Sequence, residues 1–122
     1  AVSGSFLMFR RELLETVGYL DENFFLYGED LDFCFRATQA GWKVYYYPEA
    51  VITHFKRVSS TRRPKTSNYH FHNAMEIFYR KHFLKNSGAL ERIAVLLGIR
   101  LKYWWSRLKL AVSAAPKVGS GD

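Results

Sequence analysis

From Leu90 onward, Ile93, Ala94, Leu97, Leu101, Trp104, Trp105, Leu108 and Val112 recur at the spacing of one helical face. At about 100° per residue these positions advance as a single stripe. Arg92, Arg100, Lys102, Arg107 and Lys109 all fall off it. Any fold of this chain must therefore give a long helix over 89–112 something apolar to face. That surface is either the rest of the protein or the interfacial layer of a membrane, because an apolar stripe with basic flanks and tryptophans suits both. A transmembrane span is not expected, since no stretch approaches the roughly 18 uninterrupted apolar residues it needs.

The cations of that helix belong to a wider asymmetry. Residues 1–50 hold four basic and eight acidic side chains, a balance of −4, whereas residues 51–122 hold fourteen and three, a balance of +11. The formal net charge of +7 therefore describes neither part. The acidic part raises the question of carboxylate or metal chemistry, the basic part that of phosphates, nucleic acid or membrane. Cys34 is the only cysteine, which excludes an internal disulfide and a cysteine-based zinc motif. Lying between Phe33 and Phe35, it reads as a buried structural thiol. No charged segment followed by an apolar run opens the chain, so no signal peptide is expected.

Along the chain, 2–9 (VSGSFLMF) reads as a buried strand and 10–17 as a short helix stopped by Gly18. Residues 19–28 form an aromatic loop too apolar for a solvated tip. A second helix is expected over 29–40, with Leu31, Cys34, Phe35 and Thr38 on one face, Asp32 paired to Arg36, and Gly41 as its stop. Strands follow over 43–47 and 50–55 around Pro48, then a basic loop over 56–66. A further helix, capped by Ser67 or Asn68, runs to about Leu84, and Asn86 to Gly88 end it. The order β-α-loop-α-β-β-loop-α-α describes an α/β piece with a helical tail.

Three features can carry chemistry. Glu29-Asp30-Leu31-Asp32 opens a helix, where the macrodipole and free backbone N–H groups favour anions, and an acid held there suits general-base work. The plain alternative is a set of first-turn helix acids. His54, near the end of the VITHF strand, is a candidate metal ligand or a structural histidine. His70, His72 and His82 form no better set, and the first two are expected at the surface. The basic loop with Lys56, Arg57, Arg62, Arg63 and Lys65 can grip phosphate or diphosphate.

Taken together, residues 4–54 resemble the C-terminal half of the catalytic domain of family-2 glycosyltransferases, particularly the rhamnosyltransferase-like branch. The ordered set is Gly4, Arg10-Arg11, Gly18, Asp21-Glu22, Phe25, Tyr27, Glu29-Asp30, Arg36, Gly41-Trp42, Pro48 and His54. A looser likeness continues through the Ser59-Ser60 loop and Tyr79-Arg80-Lys81-His82. The resemblance implies a partial GT-A, Rossmann-like α/β domain, its acceptor-side half. Residues 1–66 would close the catalytic domain, 67–117 form a helical tail able to meet a membrane, and 118–122 make a flexible end.

The resemblance also implies an inverting enzyme in which Asp30 is the catalytic base, supported by Glu29 and Arg36. Gly4, Ser5, Tyr27, Arg36, Ser59 and Arg62 would contact substrate. His54 would help to hold a divalent metal, Mg2+ or Mn2+. The implied partners are a nucleotide-sugar donor, a saccharide or lipid-linked acceptor of bacterial surface polysaccharide or glycolipid synthesis, an anionic membrane surface, and the missing N-terminal half. Nucleic acid is not expected, because the cations match no recognition-helix spacing; a non-catalytic basic module binding membrane or nucleic acid is the rival reading. The expected location is cytoplasmic, at the inner face of the plasma membrane. The family's nucleotide-binding half and Asp-x-Asp metal motif are absent, so the chain is expected to be a fragment of an enzyme twice this length or more. Assayed alone, the 122 residues should show no sugar transfer.

Overall fold

The computed structural model describes residues 1–53 and 64–113, and among these all regular structure is helical. Helix α1 is Arg11–Val17, α2 is Glu29–Gln39, α3 is Pro64–His82 and α4 is Ala89–Ser113. The glycine stops act as expected. Gly18 (φ 75°) ends α1 with its N–H donating to Leu14 O, and Gly41 (φ 84°) follows α2. Only glycine reaches such φ values without a steric penalty.

Helix α1 lays Leu13 against Phe33 and Ala37 of α2, and Leu7, Leu14, Val17 and Trp42 pack around this small core. The face of α2 differs from the expected one. Leu31 and Thr38 are exposed, while Asp32, Phe33, Cys34 and Ala37 are buried. The reason is that α2 is covered on two sides. Phe33 and Ala37 meet α1, whereas Phe35 meets Phe78, His82 and Phe83 at ring-centroid distances of 5.4, 4.5 and 5.7 Å. A single apolar stripe describes a helix with one neighbour, not a helix with two.

Asp32 has no exposed surface. Arg36 Nε donates to its Oδ2 (2.8 Å), and Lys81 Nζ reaches Oδ2 at 3.0 Å and Oδ1 at 2.9 Å. His82 Nε2 lies 2.6 Å from Oδ1. Burial alone would raise the Asp32 pKa; hydrogen bonds from Lys81, His82 and Arg36, together with the Lys81 charge, outweigh it and hold the carboxyl below its ordinary range. An ionised carboxylate only accepts, so His82 Nε2 carries the proton. Lys81 Nζ also donates to Asp21 Oδ2 (2.6 Å), and chiefly for that reason the Asp21 pKa falls to about 2.

Helix α3 begins at Pro64, earlier than a Ser67 or Asn68 cap would place it; proline suits the first helical position because its missing N–H has no partner to lose. Ser67 is buried instead and meets Tyr27. Helices α3 and α4 pack together, with Ser106 Oγ donating to Asn68 Oδ1 (2.7 Å) and the Tyr103 ring against Tyr69 and His72. His72, expected at the surface, is 5% exposed, and its Nδ1 lies 2.8 Å from Asn68 O. No described helix is long and apolar enough to cross a membrane.

The strands expected over 2–9 and 43–47, and over the described part of 50–55, do not form. All three stretches are irregular and border open apolar clefts, with Met8, Tyr45, Tyr46 and Val51 largely exposed. A strand is stabilised by a neighbour's backbone, and no backbone ladder joins these segments to each other. The α/β reading is thus not confirmed by the described residues, which supply helices and unpaired apolar segments.

Asp21 and Asp32 both have carboxyl pKa values lowered by folding, so their contribution is complete above the ordinary value of 3.8 and is lost as pH falls below it, for Asp21 on passing about 2. Urea denaturation followed by circular dichroism should show stability falling across that window. Asp32→Asn should cost about 2–4 kcal/mol at pH 7 and flatten the acid dependence.

Candidate functional site

The Glu29-Asp30 pair occupies the first two positions of α2, and its placement begins one residue earlier. Gly28 adopts φ 90°, a left-handed conformation, and a Cβ there would lie 3.0 Å from the Phe24 ring and 3.3 Å from Ala74 of α3. Glycine is thus required twice, for its dihedral and for the close approach. It turns the aromatic loop directly into the helix and sets where Asp30 emerges.

Asp30 is half-buried, and its Oδ2 accepts the N–H of Gly4 at 2.7 Å across 26 residues of sequence. Its Oδ1 accepts the N–H of Leu31 at 2.7 Å. A Cβ on Gly4 would sit 3.3 Å from Asp30 Cβ, so the small residue permits the approach. Gly4 lies in a turn closed by Phe6 N–H donating to Ser3 O (3.4 Å), and the exposed Ser5 hydroxyl beside it pairs with Ser3 Oγ (2.9 Å). Two backbone N–H groups therefore orient one carboxylate at a helix N-terminus, and lone pairs remain on both oxygens. Such a group can accept a proton from a hydroxyl brought beside it.

The other expected site residues divide. Glu29 adjoins Asp30, and its Oε2 is buried with no hydrogen-bond partner among the described residues. Tyr27 spends its hydroxyl on Ser67 Oγ (2.6 Å) and packs edge-on to Phe71. Arg36 is turned away from Asp30. Its guanidinium bonds Asp32, the carbonyl of Val17 and the carbonyl of Tyr19 (2.8 Å), which ties α2 to the end of α1. His54, Ser59 and Arg62 lie outside the described residues, as do Lys56, Arg57 and Arg63.

Phe25 and Tyr19 of the loop remain largely exposed, flat surfaces of the kind that stack on sugar rings, with Phe25 lying 4.7 Å from the His70 ring. Sequence reasoning missed the roles of Lys81 and His82. The spacing of Asp32 and Arg36 on one helix was readable, but no local pattern announces partners 49 and 50 residues away. Among the described residues no three His, Cys, Asp or Glu side chains cluster to hold a metal ion.

Residues 1–114 match the family model described as glycosyl transferase family group 2. The N-acetylglucosaminyl-diphospho-decaprenol L-rhamnosyltransferase of Mycobacterium tuberculosis is 39% identical over 77 residues, 63% of this chain and 25% of that protein. A low-salt glycan biosynthesis hexosyltransferase of Haloferax volcanii is 28% identical over 108 residues, 83% of this chain and 33% of that protein. The rhamnosyltransferase WbbL of Escherichia coli is 28% identical over 85 residues, covering 69% and 32%. The chain thus spans a quarter to a third of the length of these relatives. No solved structure matches it significantly.

Gly28→Ala should cost about 2–4 kcal/mol, from the left-handed backbone and the contact with Phe24 together. The midpoint of urea denaturation measures it, and a neutral result would show that the turn into Asp30 is not sterically set.

Proposed function

The chain belongs to glycosyl transferase family group 2, and from that membership we propose that it is the acceptor-side part of an inverting GT-A enzyme moving a sugar from a nucleotide-sugar to an acceptor hydroxyl. The observation that carries this reading is Asp30, its carboxylate oriented by the Gly4 and Leu31 N–H groups at the start of α2.

In this proposal Asp30 takes the proton of the acceptor hydroxyl as its oxygen attacks the anomeric carbon. The new C–O bond forms on the face opposite the nucleoside diphosphate, whose bond to that carbon breaks, so the configuration inverts. Orientation by backbone donors means that Asp30 need not move between proton acceptance and release, which keeps the reacting geometry at little entropic cost. The unpartnered Glu29 Oε2 is suited to accept from a second substrate hydroxyl. Phe25 and Tyr19 offer stacking surfaces, and the Ser5 hydroxyl stands next to Gly4 at the rim. Arg36 acts as a positioning residue for the frame of α2 rather than as a substrate contact. Ser59 and Arg62 are proposed diphosphate contacts.

The family is generally metal-dependent. The described residues do not themselves form a ligand set, and no step above runs through a metal; His54 is the proposed protein ligand for Mg2+ or Mn2+. The mycobacterial relative's name specifies a diphospho-decaprenol acceptor, and a lipid-linked saccharide of bacterial surface glycan synthesis is the acceptor class proposed here.

In the intact enzyme, Asp30→Asn should lower transfer by roughly 10²–10⁴-fold while donor binding stays within a few-fold. Product formation from a labelled nucleotide-sugar measures the first and calorimetric titration with the donor the second. Transfer that survives the substitution would assign the base to another residue.

A further inference from the structure

Helix α4 has two apolar faces, and α3 covers only one. Ile99, Tyr103, Ser106 and Leu110 turn toward α3. At 3.6 residues per turn, Leu97, Leu101, Trp104 and Leu108 point roughly 180° away. That outer stripe is bare from end to end: Leu90 is 84% exposed, Leu101 69%, Trp104 58%, Trp105 62% and Val112 77%.

The borders of the stripe are as regular as its centre. Arg100 and Arg107 lie roughly 100° to one side of it, and Lys102 and Lys109 roughly 100° to the other. Arg107 stands 5.4 Å from the Trp104 ring centroid and Lys109 Nζ 5.5 Å from that of Trp105, so each indole is flanked by a cation. Past Glu91 the helix contains no acidic residue.

We propose that this face of α4 docks on an anionic phospholipid bilayer, lying in the plane of its surface with Trp104 and Trp105 at headgroup level. The stripe supplies apolar area to the acyl boundary, while the two cationic shoulders reach lipid phosphates. A second copy of the chain fits the charge less well. A second copy docking through the same stripe would bring cationic shoulders against cationic shoulders, with no carboxylate on α4 past Glu91 to compensate. A bilayer surface offers negative charge on both sides of a sunken helix at once.

A recess of about 320 Å3, lined by Tyr27, Ser67, Ser106 and Leu110 among others, joins the last turns of α4 to the loop leading into Asp30. The recess is on the α3-facing side of α4, so a docked α4 sets that loop one helix diameter, ~10 Å, from the lipid surface; only the catalytic consequence of this rests on the reading of Asp30 as base, and lipid binding itself does not.

The test mixes the full chain with phosphatidylcholine vesicles, with or without phosphatidylglycerol, and measures co-sedimentation and quenching of tryptophan by brominated lipid. Binding is expected on the anionic vesicles only and should weaken with salt. Lys102→Gln with Lys109→Gln should lower partitioning roughly 25-fold, at about fivefold per charge. Trp104→Phe with Trp105→Phe should abolish the quenching while helix content is retained, since Trp42 lies away from the stripe. Absence of binding, equal binding to both lipid compositions, or quenching that persists in the double-Phe variant would overturn the proposal. So would a dimer in light scattering that Leu101→Glu dissociates, because it would give the stripe to a second copy.

Discussion

A carboxylate with no exposed surface is costly unless its oxygens are answered by donors and charge, and Asp32 is answered from three directions. Arg36 comes from the same helix, Lys81 and His82 from α3. Each of the two full cations also serves a second group. Lys81 holds Asp21 in the loop before α2, and Arg36 holds the carbonyls of Val17 and Tyr19 beyond α1. One buried charge thereby links α1, the aromatic loop, α2 and α3. Apolar contacts alone are few here: only a small set of residues, Leu13, Phe33 and Ala37 at its centre, is buried between α1 and α2.

The same charge sets the direction of its neighbour. Residues two apart on a helix diverge by roughly 200°, so with Asp32 facing α3, Asp30 must face the other way. There it meets Gly4. The acidic run thus splits into a structural residue and the proposed base. Asp32 with Arg36 is the first-turn ion pair of the plain reading, and Asp30, free of any cation in the described structure, is the carboxylate proposed to accept a proton. Gly28 completes the arrangement by letting the loop enter the helix without a connecting residue.

Charge along the chain and charge in space are different things. The acidic first fifty residues and the basic remainder look like two units, yet Lys81 and His82 of the basic part neutralise acids of the other. Among the described residues the cations of the two shoulders on α4 make no ion pair with a carboxylate. The helix that was clearest by periodicity is also the one whose stripe the described structure leaves open; packing on α3 uses the opposite face, where Ile99 is buried, Tyr103 meets Tyr69 and His72, and Ser106 bonds Asn68.

Local pattern was enough for the helices and their glycine stops, because backbone hydrogen bonds within a helix connect residues four apart and the signals sit in the same short window. The Glu29-Asp30 motif and the Asp32–Arg36 pair were readable for the same reason. Strands were not: 2–9 and 43–47 have strand composition, but a strand exists only when another backbone pairs with it, and no such pairing is present between them. Nor did any local signal place Lys81 and His82 on Asp32, bury His72 under Tyr103, or choose which side of α4 meets α3. Those outcomes depend on contacts between residues tens of positions apart: the buried carboxylate had to be satisfied by Lys81 and His82, and the packing of α3 on α4 decided the other two.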